Sequence, residues 1–314
     1  MAPNDQAANP VPRLSVVIVV YNDWTMLEGC LQCLGQQTNP PSFEVVIVDD
    51  GSQSPVPDFI QLWASRLQMT IIRQDHAGIA AARNLGIQVS IGPLVLFVDA
   101  DSRVQENCLA ALVLAIDSSP QHSFFQLHLV GDCSGLMGKS EELRLWALQD
   151  QLLQPNGCIR FLNTAGFALR RNKLDQKANL FDPAALRGED TLLLTDLIQR
   201  GELPLFVPNA TVLHGVPSSL MEGLRKWAKA AYQERRTYEK IASRGVRIRV
   251  NTRQRFSMLR SSWEASRQES IGRSAWFVLV VRQSLQRMIT LVGALPRILA
   301  KGPPAADATR KTAL

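Results

Sequence analysis

Two apolar runs that stop abruptly in acidic residues constrain this chain more than any other feature. Val45-Val46-Ile47-Val48 runs into Asp49-Asp50-Gly51-Ser52, and Leu94-Val95-Leu96-Phe97-Val98 runs into Asp99-Ala100-Asp101-Ser102. Runs that are apolar at every position read as strands buried on both faces, as in a parallel sheet. In open α/β sheets, ligands sit in the crevice beyond the carboxyl ends of the strands. Both acidic clusters therefore fall at the rim where a ligand binds. The Asp-x-Asp pair suits a divalent cation bridging a diphosphate, because hard cations take oxygen ligands and phosphate oxygens complete the shell.

The flanking sequence extends the pattern. Strands are expected at Leu14–Val20, Phe43–Val48, Met69–Arg73 and Pro93–Val98, with helices at Trp24–Gly35, Val56–Arg66, Gly78–Ser90 and Val104–Asp117. Strands alternating with helices imply βαβ units with right-handed crossovers. Further on, a strand at Phe124–Val130, a loop at Gly131–Gly138 and a helix at Ser140–Leu153 are expected. After these come a strand at Phe161–Leu169, a helix at Glu189–Gln199 and a strand pair at Pro204–Val207 and Ala210–Leu213. The fold class is α/β, with a Rossmann-like mixed, mainly parallel sheet carrying helices on both faces and a helical C-terminal extension. The expected division is a flexible lead-in over 1–12, a body over 13–217, a basic helical extension over 218–301 and a disordered tail over 302–314.

Charge separates the body from the extension. Residues 1–217 carry 14 Lys and Arg against 22 Asp and Glu, and residues 218–314 carry 20 against 6. A basic segment of this kind attracts nucleic acid or an anionic membrane surface. No zinc-finger pattern, RNA-binding aromatic signature or Gly/Arg repeat is present, so no nucleic-acid partner is expected. In the predicted helix Ala275–Leu295, Arg282, Gln283, Gln286, Arg287 and Thr290 fall on one arc of about 140°. Phe277, Val281, Leu285, Met288 and Val292 take the other side. That helix reads either as lying in a membrane interface or as packed on the body. Five scattered cysteines (Cys30, Cys33, Cys108, Cys133, Cys158) and a polar N-terminus without a secretory signal point to reduced thiols in the cytoplasm. Peripheral attachment to the inner face of the plasma membrane is compatible with this.

The order of motifs resembles family 2 glycosyltransferases of the GT-A fold, which are inverting and sugar-nucleotide-dependent. Ser15-Val16-Val17-Ile18-Val19-Val20-Tyr21-Asn22 resembles the family's first strand and nucleotide loop, and Val48-Asp49-Asp50-Gly51-Ser52 its base-recognition motif. Gly78-Ile79-Ala80-Ala81-Ala82-Arg83-Asn84 resembles its nucleotide-facing helix, and Asp99-Ala100-Asp101 its Asp-x-Asp motif. Gly188-Glu189-Asp190 is similar to its Glu-Asp motif, and Val212-Leu213-His214 to a strand ending in a metal-binding histidine.

The resemblance implies Asp190 as catalytic base and Tyr21, Asp49, Asp50, Arg83 and Asp99 as nucleotide-sugar contacts. Asp101, Asp99 and His214 would be ligands of Mn2+ or Mg2+. Residue chemistry is compatible with this. A carboxylate at Asp50 accepts from the N3–H of uracil, an aromatic at Tyr21 stacks on a base, and a guanidinium at Arg83 meets phosphate or an acidic site residue. A plainer reading stands beside each: Asp-Gly-Ser is a common turn, Glu189-Asp190 is favourable at a helix start, and His214 suits a buried strand end. The implied function is one sugar transfer per acceptor, from a nucleotide-diphosphate sugar (a UDP-sugar foremost) to a glycan or lipid-linked acceptor in polysaccharide biosynthesis. The Gln-x-x-Arg-Trp motif of processive synthases is absent; Arg225-Lys226-Trp227 and Gln233-Glu234-Arg235-Arg236 only echo it. The alternatives are a non-catalytic sugar-nucleotide-binding scaffold and a sugar-nucleotide pyrophosphorylase. Since every candidate site residue precedes Ser218, truncation after Gly272 is expected to spare donor hydrolysis.

Overall fold

The parallel half of the sheet forms where the sequence is most uniformly apolar. In the computed structural model, which describes residues 11–131, 135–174, 179–185, 187–216, 219–243, 245, 252–267 and 272–300, β1 (Leu14–Val20) pairs in parallel with β2 (Phe43–Asp49) and β4 (Leu94–Asp99). β2 pairs in parallel with β3 (Met69–Arg73). Alternate side chains go to opposite faces. Leu14, Val16 and Ile18 pack with Leu27, Leu31, Leu109 and Leu112 of α1 (Trp24–Gly35) and α4 (Cys108–Asp117). Val17, Val46 and Phe97 pack with Ala80, Ala82, Leu193 and Leu197 of α3 (Ile79–Val89) and α6 (Glu189–Arg200). The sheet is thus sandwiched between helices, as the sequence predicts. Each large aliphatic or aromatic side chain so buried contributes about 1.5–3 kcal/mol.

The second half of the sheet is mixed. β7 (Phe167–Arg170) pairs antiparallel with β4 and with β6 (Phe124–Gly131), and β6 pairs in parallel with β8 (Leu205–His214). β5 (Arg103–Val104) closes the edge antiparallel to β8, giving the order β3-β2-β1-β4-β7-β6-β8-β5. Several boundaries differ from the sequence expectation. The strand pair around Pro208-Asn209 is one strand, whose register slips against β6 between Leu127 and His128. Proline is tolerated there because a bulge needs no donor from it. The helix expected from Val104 starts at Cys108 because β5 takes Arg103 and Val104 into the sheet. The helix expected over Val56–Arg66 is shortened to α2 (Phe59–Ala64). The strand expected from Phe161 begins only at Phe167, since Thr164–Gly166 winds as a 3-10 turn capped by the Asn163 side chain. The helix expected from Ser140 begins at Gly135, inside the expected loop, as α5 (Gly135–Leu152).

Three helices follow β8: α7 (Leu220–Ser243), α8 (Thr252–Ser266), which the sequence reading covers only as part of the helical extension, and α9 (Gly272–Ala300). They pack on the body. Trp227 of α7 and Val278 of α9 meet Met137 of α5, and Ala275 and Leu279 of α9 meet Leu143. The Arg282 guanidinium lies over the Trp227 ring, 5.0 Å from its centroid, and pairs with the buried Glu141 carboxylate of α5. Arg282, expected on a solvent or membrane arc, is therefore turned inward, while Phe277 and Met288 face outward. Trp227 is likewise core. The side chains of Glu234, Arg235, Arg236, Thr290 and Val292, Cys133, and the tail 302–314 lie outside the described residues. Among the described residues, no helix is long and apolar enough to cross a membrane.

Candidate functional site

Register alone brings the acidic clusters together. Val20 of β1 lies beside Asp49 of β2, and Val19 beside Asp99 of β4. Tyr21, Asp50 and Asp99 therefore emerge from three neighbouring strands at one edge. The antiparallel β5–β8 ladder does the rest: Arg103 faces Leu213, and continuing that register sets Ser102 against His214 and Asp101 against Gly215. Donor atoms of Asp99, Asp101 and His214 all lie within 4.8 Å of one another. His214 Nε2 is 3.9 Å from Asp99 Oδ2, and His214 Nδ1 is buried with no hydrogen-bond partner. Burial raises the Asp101 carboxyl above the usual range, with Asp99 adding to the rise and His214 opposing it. Two carboxylates and an imidazole with an orphaned nitrogen form an oxygen/nitrogen donor set that a divalent cation satisfies. A Mn2+ or Mg2+ ion thus fits the residues present. Gly215 permits the approach. A Cβ there would lie 2.6 Å from the Asp101 carbonyl oxygen and 2.8 Å from its Cγ.

The base-side loops are laced to one another. Asn22, in the left-handed region (φ 60), donates its backbone N–H to Ser52 Oγ at 2.9 Å and accepts from the Gln53 N–H at 2.8 Å. Asp49 Oδ1 accepts the Ser52 N–H at 2.9 Å, and Arg73 pairs with Asp49 Oδ2 at 3.4 Å. Asp49 is buried and holds this turn. Asp50 is also buried. Its carboxylate accepts from Gln74 Nε2 (2.7 Å) and from the backbone N–H of Ala77 (2.9 Å) and Gly78 (3.0 Å), and it meets His76 Nδ1 at 2.9 Å. A base contact at Asp50 would displace one of these donors. Tyr21 is exposed and stacks on the His76 ring, with centroids 4.2 Å apart. That stack is the aromatic surface beside Asp50.

Arg83 meets carboxylates, the second of the two partners expected of it. It is 3% exposed, donates from Nη2 to Asp99 Oδ1 at 2.8 Å, and pairs through Nη1 with Glu189. One buried guanidinium thus ties the Asp-x-Asp turn to the start of α6, where Asp190 sits half-buried. Asp190 Oδ1 accepts from the Thr191 N–H at 2.5 Å and from its hydroxyl at 3.1 Å. Burial and the neighbouring Glu189 push the Asp190 carboxyl up to about 7, against the pull of Arg83. The helix start is fixed from the C-terminal side. Gly188 adopts φ +78 under Thr237 of α7, whose hydroxyl donates to the Arg187 carbonyl, and Lys240 pairs with Asp182 at 2.8 Å. The sequence reading did not single out His76, Gly215 or Thr237 as site-supporting residues. Only Gly215 carried a local signal, as a glycine directly after the candidate histidine.

The family model for glycosyl transferase family 2 matches residues 15–178. The chain belongs to that family. It is 39% identical over 102 residues to a validoxylamine A glucosyltransferase of Streptomyces hygroscopicus subsp. limoneus; the match covers 32% of this chain and 22% of that one. The chain thus spans only about a fifth of that relative's length. Among solved structures it is similar to the mannosyltransferase PcManGT from Pyrobaculum calidifontis in complex with GDP-Man and Mn2+. The identity is 16%, the cover 89% of this chain and 87% of that one, and the TM-score 0.61. It is also similar to residues 1–349 of S. aureus TarS in complex with UDP, at 14% identity, 91% cover of each chain and a TM-score of 0.52. At these identities the likeness to the structures is one of fold, and it agrees with the GT-A expectation.

Proposed function

We propose that this family 2 member is an inverting, non-processive glycosyltransferase. It moves a sugar from a nucleotide-diphosphate sugar, a UDP-sugar foremost, to a hydroxyl of a glycan or lipid-linked acceptor in polysaccharide biosynthesis. Residues 13–217 are the catalytic body and 218–301 the extension packed on it. The observation that carries the reading is the convergence, at one sheet edge, of the Asp99–Asp101–His214 cluster with Asp190, linked through Arg83. Asp190 takes the proton of the acceptor hydroxyl as that oxygen attacks the anomeric carbon. The bond from that carbon to the phosphate oxygen breaks on the opposite face, and configuration inverts. A base with a pKa near the working pH is well matched to this transfer. Arg83 holds Asp99 and Glu189 in place so that donor and base keep one geometry. Tyr21 and His76 supply the stacking surface for the base of the nucleotide, and Asp49 and Asp50 hold the loops that shape it. Asp99, Asp101 and His214 would hold a Mn2+ or Mg2+ ion, which would supply positive charge to the leaving diphosphate.

The reading places the enzyme in the cytoplasm, at the inner face of the membrane. The test is a screen of nucleotide sugars with Mn2+ or Mg2+, scored by nucleoside diphosphate release. At least one donor should be consumed, with Asp101→Ala reducing release by ~100-fold or more. Unchanged release in that variant, or full release in excess chelator, would refute the metal assignment.

A further inference from the structure

We infer that the α8–α9 hairpin presents a docking face for an anionic phospholipid surface. The inference rests on the membrane-side reading above and names the residues that carry it. From Thr252 to Ala300 the chain has eight arginines, no lysine and two acidic residues. The structure shows which side of each helix Arg260, Arg267, Arg273, Arg282 and Arg287 occupy. On α8 the inner side is Met258, Ser262 and Ser266, all buried. Opposite them, Phe256, Arg260, Trp263 and Arg267 fall within an arc of about 60°. Phe256 is 68% exposed and Trp263 38%, and Arg260 and Arg267 are exposed with them. On α9 the inner side is Ala275, Leu279 and Arg282, used up on α5 and α7. The outer side carries Arg273, Phe277, Ser284 and Met288 within about 60°, with Arg287 exposed at its flank; Phe277 is 64% and Met288 60% exposed. The two helices are locked by the Trp263–Trp276 ring contact at 4.9 Å and by Trp276 Nε1 donating to the Leu259 carbonyl at 3.1 Å. Both stripes therefore belong to one unit.

The composition of the stripes selects the occupant. A soluble polyanion needs only the arginines. Exposed Phe256, Phe277 and Met288 interleaved with arginine match an interface in which apolar tips enter the acyl boundary while guanidinium groups stay among the phosphates. The single acidic residue on the α8 stripe's border, Glu264, pairs with Arg260 at 3.1 Å and leaves the rest of the stripe basic.

The full-length protein is sedimented with vesicles of phosphatidylcholine alone and of phosphatidylcholine with 30 mol% phosphatidylglycerol (about 0.3 mole fraction, an anionic surface). Binding should require the anionic lipid and weaken with salt. Arg267→Gln with Arg273→Gln should reduce the partition coefficient by about 25-fold, fivefold for each arginine at about 1 kcal/mol. Phe256→Ser should lower it further without changing the circular dichroism spectrum. Wild-type protein that stays in the supernatant, or that binds a soluble polyanion such as heparin but not anionic vesicles, overturns the inference. So do folded variants that sediment like the wild type. Donor hydrolysis measured on the same preparations separates the two readings. Protein that binds vesicles but consumes no donor refutes the proposed activity alone, and protein that consumes donor but ignores vesicles refutes the docking face alone.

Discussion

Replacing Gly215 with alanine tests whether the backbone after β8 sets the proposed metal site. The added Cβ would lie 2.6 Å from the Asp101 carbonyl oxygen, 2.8 Å from its Cγ and 2.9 Å from its Cβ. Carbon contacts are optimal at about 3.5–4.0 Å, so the two segments must part by roughly 0.6–1 Å. Metal–ligand distances tolerate only about 0.2 Å, so Asp101 and His214 cannot both keep their places. Removing a positioning partner of a ligand typically costs about 10–100-fold in metal affinity, and the overpacking itself costs about 1–3 kcal/mol of stability. The assay is Mn2+ titration followed by loss of the free-ion paramagnetic resonance signal. It is paired with nucleotide affinity measured without metal, and with thermal unfolding. Gly215→Ala should bind Mn2+ about 10–100-fold more weakly with metal-free nucleotide affinity unchanged. Gly29→Ala is the control, since its Cβ would meet only Arg103 Nε, at 3.8 Å. A folded Gly215→Ala protein with wild-type Mn2+ affinity would refute the reasoning.

Asp190→Asn should keep donor affinity, read by calorimetry, and lose transfer by about 10²–10⁴-fold; in the wild type, kcat/KM should rise with pH through about 7. The Asp190 carboxyl binds its proton more tightly folded than unfolded, where its pKa is about 3.9. Its contribution to stability is therefore present below that value and lost as pH rises through about 7, and Asp190→Asn should gain melting temperature over the wild type at pH ~8 but not at pH ~5. Arg83→Met leaves two carboxylates without their shared cation. It should cost about 3–5 kcal/mol in denaturant unfolding and move the acid limb of the activity profile to higher pH. Truncation after Gly272 should lower stability by at least about 3 kcal/mol, from Val278 and Leu279 alone, and an unchanged denaturation midpoint would show that α9 does not support the body.

The parallel strands were legible because their residues are apolar without interruption, a pattern that both faces of a covered sheet demand. Asp99 and Asp101 stood out because acids directly after such strands have few cheap explanations, whereas Asp190 stood out only through the resemblance, since an acid at a helix start is favourable anyway. The partner of Arg83 was not fixed by sequence, since a guanidinium suits phosphate and carboxylate equally and only tertiary contact chooses. Asp50 looked like an open acceptor, yet Gln74, His76, Ala77 and Gly78 converge on it from a loop more than 20 positions away. The orientation of α9 was misread for a related reason. An arginine can be the inward residue when a buried acid such as Glu141 waits for it. Within the expected helical extension the bounds of α8 were not legible, because its serines and arginines give no continuous apolar stripe.

The β5–β8 pairing also sets the order in which this protein becomes competent. Strands β1 to β4 and their helices are complete within the first hundred residues. Asp101 leads into a two-residue strand whose ladder partner, β8, ends at His214. On a ribosome, the nascent chain therefore carries its acidic turn long before that turn has a fixed shape. Closing so distant a pair is a late, entropically costly event. Under the proposed metal assignment, cation capture then reports on docking of the last strand, and a chain arrested short of residue 214 would lack the histidine of the cluster.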